Sequence, residues 1–150
     1  NADTPLKMSK LPIAKIEKLI RPCGLSPQKS KAIFNLSKIL IDKYNGIVPS
    51  NFDDLESLPG VGHKTASVVM CQAFNIPAFP VDTHIYRLLR RWGISKGKSI
   101  QKVEKDGKRF FPKELWSKLH LQIIFFGREY CPARSHSLNN CPICSFVNKK

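Results

Sequence analysis

From Ile13 to Phe126 the apolar side chains recur at every third or fourth position, and no run alternates long enough to make a half-buried strand. That period makes the chain all-α. Ile13, Ile16, Leu19 and Ile20 share one face of a helix over residues 12–20, stopped by Pro22 and Gly24. Ser26-Pro27 reads as an N-cap followed by proline at the first helical position. The helix it opens turns Ile33, Leu36, Leu40 and Tyr44 inward and stops at Asn45-Gly46. Ser50 starts a short helix with Phe52 and Leu55; a tight turn, Leu58–Gly62, leads into another from His63 to about Phe74. Pro77 and Pro80 hold the next stretch extended. Asp82 caps a helix carrying Ile85, Leu88, Leu89 and Trp92, closed by Gly93. Two further helices follow, about 100–110 and 113–129, the second burying Leu115, Leu119, Ile123 and Phe126. The Lys/Gly/Ser loop at residues 95–99 is the expected seam between two helical lobes.

At 150 residues, with 42% hydrophobic and 24% charged, the chain can bury a core and is not disordered by composition. No apolar run approaches the roughly 20 residues of a membrane span, and no secretory leader opens the chain, so a cytoplasmic address is expected. It begins Asn1-Ala2-Asp3 without methionine, as a fragment or a processed form would. Lys plus Arg 25 against Asp plus Glu 11 leaves a net charge of +14. The excess is uneven: residues 1–75 carry 10 basic and 6 acidic side chains, residues 76–150 carry 15 and 5. Such a balance suits a polyanionic partner, nucleic acid first, although a merely soluble basic surface has the same composition.

The most informative stretch is Leu58-Pro59-Gly60-Val61-Gly62-His63-Lys64-Thr65-Ala66. A Gly-x-Gly turn between two short helices lets backbone N–H groups come close to a ligand, and the second helix points its unsatisfied N–H groups at it. A phosphodiester suits that site, held without reading base sequence. A packed αα-hairpin would also use these glycines. Lys64 falls in the first turn of the second helix, where the dipole opposes a cation and favours the neutral amine. A neutral amine can attack carbon and form a Schiff base; an exposed lysine holding phosphate is the plainer use of the position. Asp82, in Val81-Asp82-Thr83-His84, is a favoured capping residue, and the same geometry keeps a carboxylate ionised for proton transfer or for stabilising developing positive charge. His63 and His84 read as structural or phosphate-adjacent. Arg87, Arg90 and Arg91 lie on the polar side of their helix, as a solvated face or a track for backbone phosphates.

Five cysteines are too few and too unevenly placed for a secreted disulfide scaffold. Cys71 reads as a small core residue and Cys23 stands alone. Cys131-x9-Cys141-x2-Cys144 is spaced like three ligands of a four-cysteine metal site, for iron–sulfur or zinc, with the fourth missing.

With the hairpin, Lys64 and Asp82 in place, the chain resembles the endonuclease III family of DNA glycosylases. The resemblance is close over Leu58–Val69 and Phe79–Arg87, and looser from Asp3 through Cys144, including Gly46-Ile47-Val48-Pro49 and Gly127-Arg128-Glu129-Tyr130-Cys131. It implies the helix-hairpin-helix DNA glycosylase fold: a six-helix barrel lobe over residues 1–94, incomplete at the N-terminus, with the hairpin at about 52–74. A smaller helical lobe, residues 95–150, would carry the cysteine loop 131–144. It implies a bifunctional base-excision repair enzyme acting as a monomer on double-stranded DNA with a damaged base or an abasic site. Such an enzyme flips out and excises an oxidised pyrimidine and cuts the strand by β-elimination. Lys64 would be the nucleophile and Asp82 its carboxylate partner. DNA contacts would come from Leu58, Gly60, Val61, Gly62, His63, Thr65, Thr83, His84 and Arg87. In a bacterial-type cytoplasm the protein would be nucleoid-associated through DNA.

Family members carry several dozen residues before the position of Asn1, so the chain is expected to be N-terminally truncated. Their cysteine pattern, Cys-x6-Cys-x2-Cys-x5-Cys, differs from the one here, where Lys150 stands at the last position. The implied cofactor is therefore a [4Fe-4S] cluster with an incomplete cysteine set: Cys131, Cys141 and Cys144. The family's loop between the first two cysteines also contacts DNA; here it offers Arg134 and His136. Adenine-mismatch relatives lack the lysine, and 8-oxoguanine glycosylases lack the cysteine loop. The alternatives are a related glycosylase for another lesion and a non-catalytic DNA-binding module that uses the hairpin alone.

Overall fold

The computed structural model describes residues 2–147, and every regular element among them is helical. The helices are α1 (Pro5–Ser9), α2 (Ile13–Ile20), α3 (Ser26–Tyr44), α4 (Phe52–Ser57), α5 (His63–Ala73), α6 (Thr83–Arg91), α7 (Ile100–Phe110), α8 (Trp116–Glu129) and α9 (Pro142–Val147). Short 3₁₀ turns occupy Arg21–Cys23 and Lys113–Leu115. The all-α expectation holds among the described residues. By internal contacts the chain forms two compact units, Asn1–Ala66 and Ser67–Lys150. The 95–99 loop lies inside the second unit.

In the first unit α1 and α2 pack on the long α3. Leu40, Ile16, Leu55, Leu58 and Ala66 are among its buried aliphatic side chains. Two of the buried serines of α3 return their hydroxyls to carbonyls about one turn back, Ser30 Oγ to Pro27 O (3.0 Å) and Ser37 Oγ to Ile33 O (2.7 Å), so burial leaves neither of these donors unmet. Asn45 adopts the left-handed conformation (φ 52°), and Gly46 N donates to Leu40 O at 2.7 Å, closing α3 where the sequence predicted. Tyr44 then donates to Asp54 Oδ1 (2.9 Å), tying the end of α3 to α4.

Several local expectations are corrected. Asn51, not Ser50, caps α4, its Oδ1 accepting from Asp54 N (2.9 Å). Ser26 is the first helical residue of α3, and the residue before it, Leu25, turns the chain with φ 52°. Helix α1, capped by Thr4 with Pro5 in its first turn, is too short to show a period. Leu19 is 49% exposed, and Leu115 is 41% exposed because the helix expected from residue 113 begins only at Trp116, leaving Leu115 in the 3₁₀ turn before it.

In the second unit α6 packs on α7 and α8. Its core is Phe79, Val81, Ile85, Leu88, Leu89, Val103 and Ile123, joined by the three C-terminal cysteines. Gly107 lets α7 approach closely: a Cβ there would stand 2.6 Å from Phe79 and 2.9 Å from Leu89. Cys71, as expected, is buried.

Candidate functional site

The hairpin forms as the sequence predicts. Pro59 and Gly60 occupy the middle of a four-residue turn closed by Val61 N donating to Leu58 O (3.1 Å), and Gly60 has φ +78°. Proline then glycine is what a turn with positive φ at its third residue requires. The turn lies against α3: a Cβ on Gly60 would stand 2.8 Å from that of Ala32. Leu58 is buried and anchors the turn, while Val61 is half-buried. Gly62 differs, since a Cβ there would meet nothing within 4 Å. Its carbonyl accepts from Ala66 N (3.0 Å) and starts α5. The hairpin therefore shows bare backbone to solvent at the end of a helix whose first-turn amides lack intrahelical acceptors.

His63 Nδ1 lies 2.7 Å from Glu56 Oε1, and its ring stacks on Phe52 with centroids 5.5 Å apart. It thereby bridges α4 and α5. Lys64 and Thr65, next along the first turn of α5, are exposed.

Asp82 caps α6, Oδ1 accepting from Ile85 N at 2.8 Å, with its backbone extended. The cap uses one carboxylate oxygen; a carboxylate has two. Thr83 is exposed and His84 half-buried. Arg87 turns inward: Nη2 donates to Gly127 O (3.2 Å), Cys131 O (3.1 Å) and His84 Nδ1 (3.2 Å). Arg91 Nη1 donates to Pro132 O (3.0 Å) and to Cys131 Sγ (3.2 Å). Only Arg90 stays on the exposed face, over the Tyr86 ring. Two of the three arginines thus hold the start of the cysteine loop, a use their helical position does not announce.

Cys131, Cys141 and Cys144 come together, each no more than 1% exposed, as the spacing predicts. The donor that the cysteine count lacked is His136. One ligand atom from each of these four residues lies within 4.8 Å of the others, so the group can hold a metal ion. Cys131 Sγ is 3.8 Å from Cys144 Sγ and 3.4 Å from His136 Nε2. The signal was available in the sequence as a histidine midway between the first two cysteines, Cys131-x4-His136-x4-Cys141. Lys150, at the family's fourth cysteine position, lies outside the described residues.

Electrostatics within the group are uneven. Burial, with the thiols of Cys141 and Cys131 alongside, pushes Cys144 up to about 12. Burial acts on Cys141 in the same sense. There the N–H and side-chain hydrogen bonds from Cys144, with others from Cys131 and Ile143, outweigh it and leave that thiol below its ordinary value. Burial and then the charges of Arg91 and Arg87 hold His136 below the usual histidine range, favouring the neutral ring. Adjacent buried thiols resist ionising together, and a bound cation removes that resistance.

Comparison with known proteins agrees with this geometry. The sequence profile of the HhH-GPD superfamily of base excision DNA repair proteins matches residues 1–113. Endonuclease III of Bacillus subtilis (strain 168) is 46% identical over 140 residues, which are 93% of this chain and 64% of that protein. A solved non-covalent endonuclease III–DNA complex superposes with a TM-score of 0.90 at 43% identity, covering 99% of this chain and 71% of the other. A trapped covalent endonuclease III–DNA intermediate does so at 0.89 and 44% identity, covering 95% and 67%. The chain therefore spans about two thirds of the length of these proteins.

Proposed function

The chain belongs to the HhH-GPD superfamily of base excision DNA repair proteins, and on that premise we propose that it is a bifunctional DNA N-glycosylase and abasic-site lyase of the endonuclease III type. Its substrate is double-stranded DNA carrying an oxidised pyrimidine or an abasic site. The observation that carries the reading is the placement of Lys64. An exposed amine stands in the first turn of α5, two residues after a glycine whose Cβ position is open. The backbone from Gly60 to Gly62 approaches a phosphodiester, with Leu58 and Val61 fixing the turn and His63 and Thr65 flanking the helix end. Thr83 and His84 at the start of α6 supply further DNA contacts, and Arg87 supports them from inside.

The chemistry follows from a lysine and a carboxylate. The Lys64 Nζ lone pair attacks C1′ of the flipped nucleoside and the C1′–N bond breaks, the base leaving with a proton. Opening of the sugar ring gives a protonated imine between Nζ and C1′. Loss of a C2′ proton then drives cleavage of the C3′–O3′ bond, and the 3′ phosphate leaves. Water hydrolyses the imine and returns Lys64. Asp82 accepts the proton that the amine must lose and stabilises positive charge developing on the sugar. Extruding the nucleotide costs a few kcal/mol, least at a damaged base, which favours lesions over intact pairs. Residues 1–94 act as the barrel lobe and 95–150 as the lobe bearing the cysteine loop. The enzyme works as a monomer, in the cytoplasm and on the nucleoid. Among the described residues no helix is long and apolar enough to cross a membrane.

Borohydride trapping tests this. The chain is incubated with duplex DNA bearing an abasic site, reduced, and resolved on a denaturing gel. We expect a covalent adduct that Lys64→Ala abolishes. Asp82→Asn, which preserves an N-cap, should slow adduct formation at least tenfold with little change in thermal stability. Asp82→Ala should in addition cost about 1 kcal/mol of stability. DNA binding with no adduct would leave the chain a non-catalytic hairpin module.

A further inference from the structure

The endonuclease III resemblance implies a [4Fe-4S] cluster, in which each ligand binds a different corner and the ligand atoms stand roughly 6 Å apart. The four donors here are more compact, all within 4.8 Å, and do not fit that group. They fit one ion. A tetrahedral zinc with Zn–S near 2.3 Å and Zn–N near 2.1 Å sets sulfur–sulfur edges of about 3.8 Å and sulfur–nitrogen edges of about 3.6 Å. The observed Cys131–Cys144 and Cys131–His136 distances are 3.8 and 3.4 Å.

We propose that Cys131, Cys141, Cys144 and His136 hold a single tetrahedral zinc(II), with His136 Nε2 as the fourth ligand. The surroundings are built for it. Ser135, with φ 56°, reverses the loop immediately before His136. On loading, three S–H bonds break and their protons pass to solvent. Three Zn–S bonds and one Zn–N bond form, and the site keeps one net negative charge. Arg91 donates to Cys131 Sγ at 3.2 Å and offsets that charge from outside the ligand set. All four positions being filled, no coordination site is left open, so the ion is structural and holds the loop and α9 to the core around α6. This inference does not depend on the glycosylase reading.

The test uses the full chain, purified from cells supplied with both iron and zinc. Elemental analysis and acid-labile sulfide should give about one zinc and no sulfide per chain. About four irons and four sulfides, with the visible sulfide-to-iron charge-transfer band, would overturn the proposal. If the chain is isolated without metal, cobalt(II) is titrated into the reduced protein. Ligand-field bands of tetrahedral cobalt with thiolate charge transfer are expected, and their absence would also overturn it. His136→Ala should weaken cobalt binding at least tenfold, whereas Arg134→Ala leaves it unchanged. His136→Cys should keep the ion and shift the bands. Equal binding and unchanged bands in all three variants would remove His136 from the ligand set.

Discussion

Gly60 and Gly62 stand two residues apart in one turn, yet alanine at each tests a different property. At Gly60 the backbone has φ +78° and the new methyl would crowd Ala32, so Gly60→Ala should lower stability by about 1–3 kcal/mol in thermal unfolding. At Gly62 the methyl enters open space, and the loss should stay below about 1 kcal/mol. If the turn approaches a phosphodiester, Gly62→Ala should nevertheless weaken DNA binding severalfold in a fluorescence titration. Unchanged binding would place the phosphate elsewhere. The glycine pair was legible in the sequence because a tight turn is a local event. The difference between the two was not, since Ala32 lies on another helix.

Among the elements, α7 is tied to its preceding loop through Asp106, which accepts from Ser95 in that loop and from Lys102 on α7 itself. Lys102 Nζ (2.6 Å) and Ser95 Oγ (2.6 Å) both donate to Asp106, and these hydrogen bonds hold its carboxyl below the ordinary value. A depressed carboxylate stabilises the fold fully above the unfolded pKa, near 3.9, and loses that contribution as pH falls through the folded value. The melting temperature should therefore drop on acidification below about pH 4, and Asp106→Asn should flatten part of that drop. Helix α6 shows the limit of pattern reading. Its apolar stripe, Ile85, Leu88 and Leu89, and its cap could be read from spacing, and both are as expected. Its arginines could not. Arg87 and Arg91 reach residues about forty positions away, and helical spacing says which face a side chain takes but not what waits there.

For the molecule as a whole, the +14 charge bears on DNA affinity. If the hairpin and its neighbours neutralise about three phosphates, affinity for duplex DNA should fall roughly 10- to 100-fold between 50 and 200 mM salt, linearly on a log–log plot. A flat profile would argue against phosphate contacts altogether. The helical class, the hairpin, the cap at Asp82 and the three-cysteine cluster were all present in the order of residues. Each depends on groups within a few positions of one another: a turn's φ, a cap's short reach, a stripe's period. Placing His136 among the cysteines, turning Arg87 and Arg91 onto the loop, and leaving Leu19 and Leu115 in solvent required the packed chain. Those outcomes depend on which surfaces meet, and contacts between distant segments are selected by packing as a whole rather than by any stretch taken alone.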